Sequence, residues 1–140
     1  MQAITPYLNF NGDAAEALDF YEAALGGQIV HKQTFGETQA EYPSPDSHKD
    51  KIMHALFRAG ELNFMVSDCA PGAVPVTAGS NISLALNFTD ETSIAGAFEA
   101  LAAGGTITMP LQDTFWGAKF GMVTDRFGIS WMFNYDKPNS

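Results

Sequence analysis

The chain has 140 residues, 46% of them hydrophobic and 16% charged, and sixteen Asp and Glu against seven Lys and Arg give a formal net charge of -9. That length suits one domain or two small modules sharing a core, and the composition excludes a disordered or fibrous chain. The acidic balance, with no local cluster of Lys or Arg, argues against nucleic acid and anionic lipid as partners and would favour a cationic ligand.

The lone cysteine, Cys69, cannot form an internal disulfide and has no zinc-type spacing, which points to a reducing compartment. The opening "MQAITPYLNFNGD" has neither a basic leader nor a long apolar run, so a soluble cytoplasmic protein is expected.

The first predicted element is a strand, "AITPYLNF". The apolar period then changes from about 2 to about 3.6 in "GDAAEALDFYEAALGG", which predicts a helix. Asp13 is placed to cap it with Glu16 three residues on, Ala17, Leu18, Tyr21 and Leu25 make its apolar face, and Gly26-Gly27 stops it. Three strand-like runs follow, "QIVHKQTF", "KIMHALFRA" and "ELNFMVSD". The polar loop "GETQAEYPSPDSHKD" separates the first two, and "CAPGAVPVTAGS" leads onward; both are expected to be exposed and mobile.

The same grammar then repeats. Strand "NISLALNF", cap Asp90, helix "ETSIAGAFEALAA" with Ile94, Ala97, Phe98 and Leu101 on one face, and the stop Gly104-Gly105 precede the strands "TITM", "AKFGMVTD" and "ISWMFNY". Each half is β-α-β-β-β and too small to be comfortable alone, so the halves are expected to pack together. The expected organisation is a single domain, residues 1–140, with modules at about 1–70 and 79–138 joined by residues 69–79.

Several stretches carry a resemblance: "ITPYLNFNGDAAEALDFYEAALGG", "FGE", "KIMHALFRAGELNFMVSD", "DTFWGAKFGMVTDRFG" and "SWMFN". Together they resemble the PhnB-like branch of the vicinal-oxygen-chelate superfamily, which includes glyoxalase I, bleomycin-resistance proteins and extradiol dioxygenases. The resemblance implies an α+β fold in which two βαβββ modules form a concave eight-stranded mixed sheet with helices outside, in a homodimer. Members are often labelled 3-demethylubiquinone 3-methyltransferase-like, but a glycine-rich turn after a strand, which a nucleotide-derived cofactor would need, is missing here.

In metal-using relatives the ligands come from the first and last strand of each module. Matched to this chain, those positions fall on Pro6, Met65, Ser83 and Met132, none suited to Mn, Fe or Zn. No metal ligand is therefore assigned and no cofactor is expected, with a divalent metal as the alternative. The spacing of His31, His48 and His54 brings no two of them to one face. His54 is the first candidate ligand or base, if Glu61 or Asp68 approaches it; Asp68 reads more readily as a turn cap or loop anchor.

Strand alternation assigns the rest. Ile82, Leu84, Leu86, Phe88, Ile129, Trp131 and Phe133 suit the core. Ser83, Asn87, Ser130, Asn134 and Met132 are left to line a concave face, with Phe115, Trp116 and Phe120 as candidate walls. The expected function is metal-independent binding of a small organic molecule in a cup, with the reaction, if any, undefined. The alternatives are a metal-dependent lyase, isomerase or dioxygenase, and, further off, methyl transfer.

Overall fold

A computed structural model of the chain describes residues 1–39 and 43–138. Residues 40–42, within the predicted polar loop, lie outside the described residues. The chain divides into two compact units, Met1–Thr77 and Ala78–Ser140.

The first unit contains β1 (Tyr7–Phe10), α1 (Ala14–Leu25), β2 (Gln28–Thr34), β3 (Ile52–Ala59) and β4 (Leu62–Asp68). Short 3-10 turns at Gly36–Thr38 and Asp46–His48 lie between β2 and β3. The second unit contains β5 (Leu84–Phe88), α2 (Glu91–Ala102), β6 (Thr106–Asp113), β7 (Ala118–Thr124) and β8 (Ser130–Asp136). Its order, β5-β8-β7-β6, reproduces the β1-β4-β3-β2 of the first. In both sheets the first and last strands run parallel and the remaining pairs antiparallel. The eight strands are thus two mixed sheets of four.

The largest boundary differences are at β1, which starts at Tyr7 rather than Ala3, and at β6, which reaches Asp113 rather than stopping at Met109 and so includes Pro110. An edge strand tolerates a residue without an N–H, and pairing with β7 is irregular between Met109 and Gln112.

The repeat extends to single atoms at the glycine pairs. Gly26 and Gly104 take left-handed conformations, with φ of 69° and 76°. A Cβ on Gly27 would collide with the Arg58 carbonyl oxygen, and one on Gly105 with that of Thr124. The residues that follow them, Gln28 and Thr106, pair with the same Arg58 and Thr124. In both units the first glycine turns the chain and the second lets it pass under the third strand.

One face of each sheet carries the helix. Ala14, Ala17, Leu18 and Tyr21 of α1 and Ile94, Ala97, Phe98 and Leu101 of α2 are buried. Tyr21 meets Phe64 edge-on at 5.6 Å, and Phe98 meets Phe133 at 5.1 Å. Trp131 is fully buried and its indole N–H donates to Asp125 Oδ2 at 2.8 Å. Truncating one of these aromatics to alanine should cost about 3–5 kcal/mol.

The helix starts differ. Asp90 caps α2 as expected, its Oδ1 accepting from Ser93 N at 2.7 Å. Asp13 makes no side-chain cap, contrary to the expectation. Asp68 at the end of β4 does that work: Oδ1 accepts from Gly12 N and Ala14 N at 2.8 and 3.0 Å, and Oδ2 from Ile52 N at 2.8 Å. Asp68 is buried. Asn11 and Val76 exchange two hydrogen bonds of 2.8 and 2.9 Å, tying the exposed segment after β4 back to the first unit.

Candidate functional site

The sheet faces turned away from the helices carry the candidate residues. On the second sheet, register places Asn87 against Asn134, Ala85 against Met132, Met122 against Met132 and Phe120 against Asn134. Ser130 stands opposite Thr124 on the same face. Five of the eight predicted ligand residues, Asn87, Phe120, Ser130, Met132 and Asn134, therefore share one surface. Asn134 Nδ2 donates to Asn87 Oδ1 at 3.4 Å and to Asp136 Oδ1 at 3.3 Å, which leaves other amide lone pairs and N–H groups for a ligand. Ser83 lies just before β5 and reaches this face only by continued alternation.

Phe115 and Trp116 occupy the turn between β6 and β7, 97% and 58% exposed. Their rings meet edge-on at 4.9 Å, and Trp116 meets Phe120 at 6.3 Å, so an aromatic row runs from the turn onto the sheet. The turn is held firmly. Thr114 N and Oγ1 both donate to Ala118 O, Gly117 takes φ of 85°, and Lys137 N donates to Gly117 O at 3.0 Å. Lys137 Nζ also meets Asp113 Oδ1 at 2.7 Å. That contact lowers the Asp113 carboxyl below its ordinary 3.8 and raises Lys137 above 10.5, in each case chiefly by the hydrogen bond to the other.

The first sheet follows the same plan with different residues. Tyr7 pairs with Met65 and Asn9 with Ser67, whose hydroxyl meets Asn9 Oδ1 at 3.3 Å. Asn9 and Asn87, and likewise Met65 and Met132, hold equivalent places in the two registers. His54 lies on this face, its ring 6.0 Å from that of Tyr7 and 5.8 Å from that of His31. Two histidines do therefore meet on one face, contrary to the spacing argument. Cross-strand pairing with an irregularity between Ile29 and His31 brings them together.

The candidate carboxylates do not join His54. Asp68 points to the helix side, where three backbone N–H groups hold it. Glu61 sits exposed in the turn between β3 and β4, seven residues from His54. Asp68 is a structural anchor.

The metal positions matched by resemblance need two corrections, at Pro6 and at Ser83. Met65 stands opposite Tyr7, whereas Pro6 precedes β1 and by alternation belongs to the other face. Aligning the two Asn-Phe pairs at the strand ends would have shown this. In the first unit Tyr7 stands opposite Met65, and in the second Ala85, not Ser83, stands opposite Met132. Two thioethers, a phenol and a methyl group do not fit a hard or borderline divalent cation. Among the described residues no group of three His, Cys, Asp or Glu is placed to hold a metal.

Both helix starts, where a phosphate could bind, already hold an internal carboxylate, Asp68 on α1 and Asp90 on α2. Among the described residues no helix is long and apolar enough to cross a membrane.

Residues 3–133 match the family model of the Glyoxalase/Bleomycin resistance protein/Dioxygenase superfamily. The chain is 34% identical to Protein YjdN of Escherichia coli, covering 96% of this chain and 95% of that protein. Among solved structures it is similar to protein PA1353 of Pseudomonas aeruginosa, at 41% identity and a TM-score of 0.84, covering 99% of this chain and 100% of that one. It is also similar to the PhnB protein of Bacillus cereus, named as a proposed 3-demethylubiquinone-9 3-methyltransferase, at 30% identity and a TM-score of 0.78, covering 96% and 99%. Duplicated topology, equivalent glycine pairs and these full-length matches agree: the chain belongs to the glyoxalase/bleomycin resistance/dioxygenase superfamily, in its PhnB-like branch.

Proposed function

We propose that the chain binds a small aromatic organic molecule on the open face of the second sheet, with no metal needed at the inherited positions. The observation that carries this reading is the cluster of Asn87, Asn134, Met122, Met132 and Phe120 on the surface turned away from α2. Flexible thioethers and an aromatic row adapt to a flat ligand, and the two amides orient it through hydrogen bonds. Asp136 at the end of that face suits a cationic substituent. Apolar side chains exposed elsewhere, Val30 at 43%, Ile82 at 75% and Ile107 at 50%, support a homodimer that covers them. Sedimentation should then give twice the chain mass.

The test is a thermal-shift and equilibrium-dialysis screen with quinone-like and cationic aromatic compounds, run with EDTA present. A binder should raise the melting temperature and quench Trp116, and should lose affinity in Asn134→Ala and Met132→Ala. A screen without a hit, or a hit indifferent to both substitutions, sinks the reading.

The second reading is a metal-dependent lyase, isomerase or dioxygenase, supported by His54 beside His31. It requires activity that chelation removes and His54→Ala abolishes. Methyl transfer has less support, since the N–H groups of Gly12 and Ala14 are taken by Asp68 rather than left for a nucleotide phosphate.

A further inference from the structure

The geometry points to a transition-metal site at His31 and His54, separate from the positions the superfamily uses. The two residues stand on adjacent strands, β2 and β3, with His31 opposite Leu56 and Gln33 opposite His54, so the rings lie diagonally across the open face of the first sheet. Their centroids are 5.8 Å apart.

Ring geometry decides whether one ion can bridge them. A metal bound to an imidazole nitrogen at about 2.0–2.1 Å lies about 3.2 Å from the ring centroid. Two such rings on one ion are then about 4.5 Å apart at a right angle, about 5.2 Å at the tetrahedral angle and about 6.4 Å when opposed. The observed spacing of 5.8 Å falls inside that range, between the tetrahedral and the opposed arrangement.

The surroundings agree. Neither imidazole hydrogen-bonds to another described residue, so the ring nitrogens are uncommitted among those residues. Gln33 opposite His54 offers an amide oxygen, and Tyr7 packs its ring against the far side of His54. The one Arg on this face, Arg58, is held by Asn63, its Nε donating to Oδ1 at 2.8 Å. Imidazole nitrogen selects Zn2+, Ni2+ or Cu2+ over Mg2+ or Ca2+. With two protein nitrogens, the remaining positions would be filled by water or by an oxygen of a bound ligand.

The site does not depend on the organic-ligand reading, and its test uses metal alone. Tag-free protein is titrated with NiCl2 and ZnCl2 by calorimetry in a non-chelating buffer. One equivalent should bind with a micromolar Kd, weakened by about tenfold or more in His31→Ala and in His54→Ala and unchanged in His48→Ala, where the ring packs on Phe35 instead. Nitrogen-detected imidazole spectra of the unaltered protein, taken during the Zn2+ titration, serve if either variant misfolds: the His31 and His54 rings should shift together at one equivalent. No binding at millimolar metal, affinity retained in the double variant, or a shift of His48 instead would overturn the proposal.

Discussion

The starts of the two helices look alike in sequence and are built differently. Asp13 and Asp90 each precede an apolar-periodic segment, yet only Asp90 hydrogen-bonds within its own turn. The start of α1 is closed by Asp68, whose partners Gly12 and Ala14 lie 56 and 54 residues away in the chain. One cap is local and exposed; the other is a buried tertiary contact that also fixes the entry to β3 through Ile52. A sequence signature can identify a helix boundary without identifying the group that closes it.

The largest expected effect breaks that contrast directly. Asp68→Ala strands three N–H donors and should destabilise the protein by about 3 kcal/mol or more, while Asp13→Ala should stay within about 0.5 kcal/mol, both read from urea midpoints. Equal losses would mean that Asp13 caps after all.

Next come the glycines, which test where the two units agree. Gly27→Ala and Gly105→Ala each drive a Cβ into a strand carbonyl, and each should cost about 2–4 kcal/mol in the same assay. A silent substitution in one unit would show that the atomic equivalence is incomplete.

The smallest effects are electrostatic. The Asp90 carboxyl is held below its ordinary 3.8, first by the backbone N–H and then by the hydroxyl of Ser93. A lowered folded-state pKa contributes stability above the unfolded value and loses it as pH falls through the lowered one. Asp90→Ala should therefore lower the melting temperature slightly at neutral pH and converge with the unaltered protein in acid. The Asp113–Lys137 pair follows the same rule at the acid end. At the alkaline end the raised Lys137 loses its contribution as pH climbs through its folded value. Lys137→Met should thus differ from the parent between about pH 4 and 10, by less than the cap substitution, since both side chains meet water.

The two open faces teach a related lesson about charge. The chain carries -9 overall, yet the strand residues on the open face of the first sheet include Arg58, His31 and His54 and no carboxylate. Among the described residues the strand carboxylates are Asp68, turned to the helix side of the first sheet, and Asp113 and Asp136 in the second; the other acidic residues sit on helices, turns and loops. Net charge describes the whole surface, and what a ligand meets is set by the few groups on one face.

Much of the fold was legible in the residues themselves. The alternation in "SLALNF" and "SWMFNY" sorted Leu86, Trp131 and Phe133 from Asn87, Met132 and Asn134, because side chains on a strand must point to opposite faces. The glycine pairs and helix periods revealed the duplication, since both are imposed by contacts close in the chain. Three things required tertiary structure: Asp68 beneath α1, Tyr7 rather than Pro6 opposite Met65, and His31 beside His54. Each depends on the register between strands distant in sequence, where one irregular residue changes which side chains face each other.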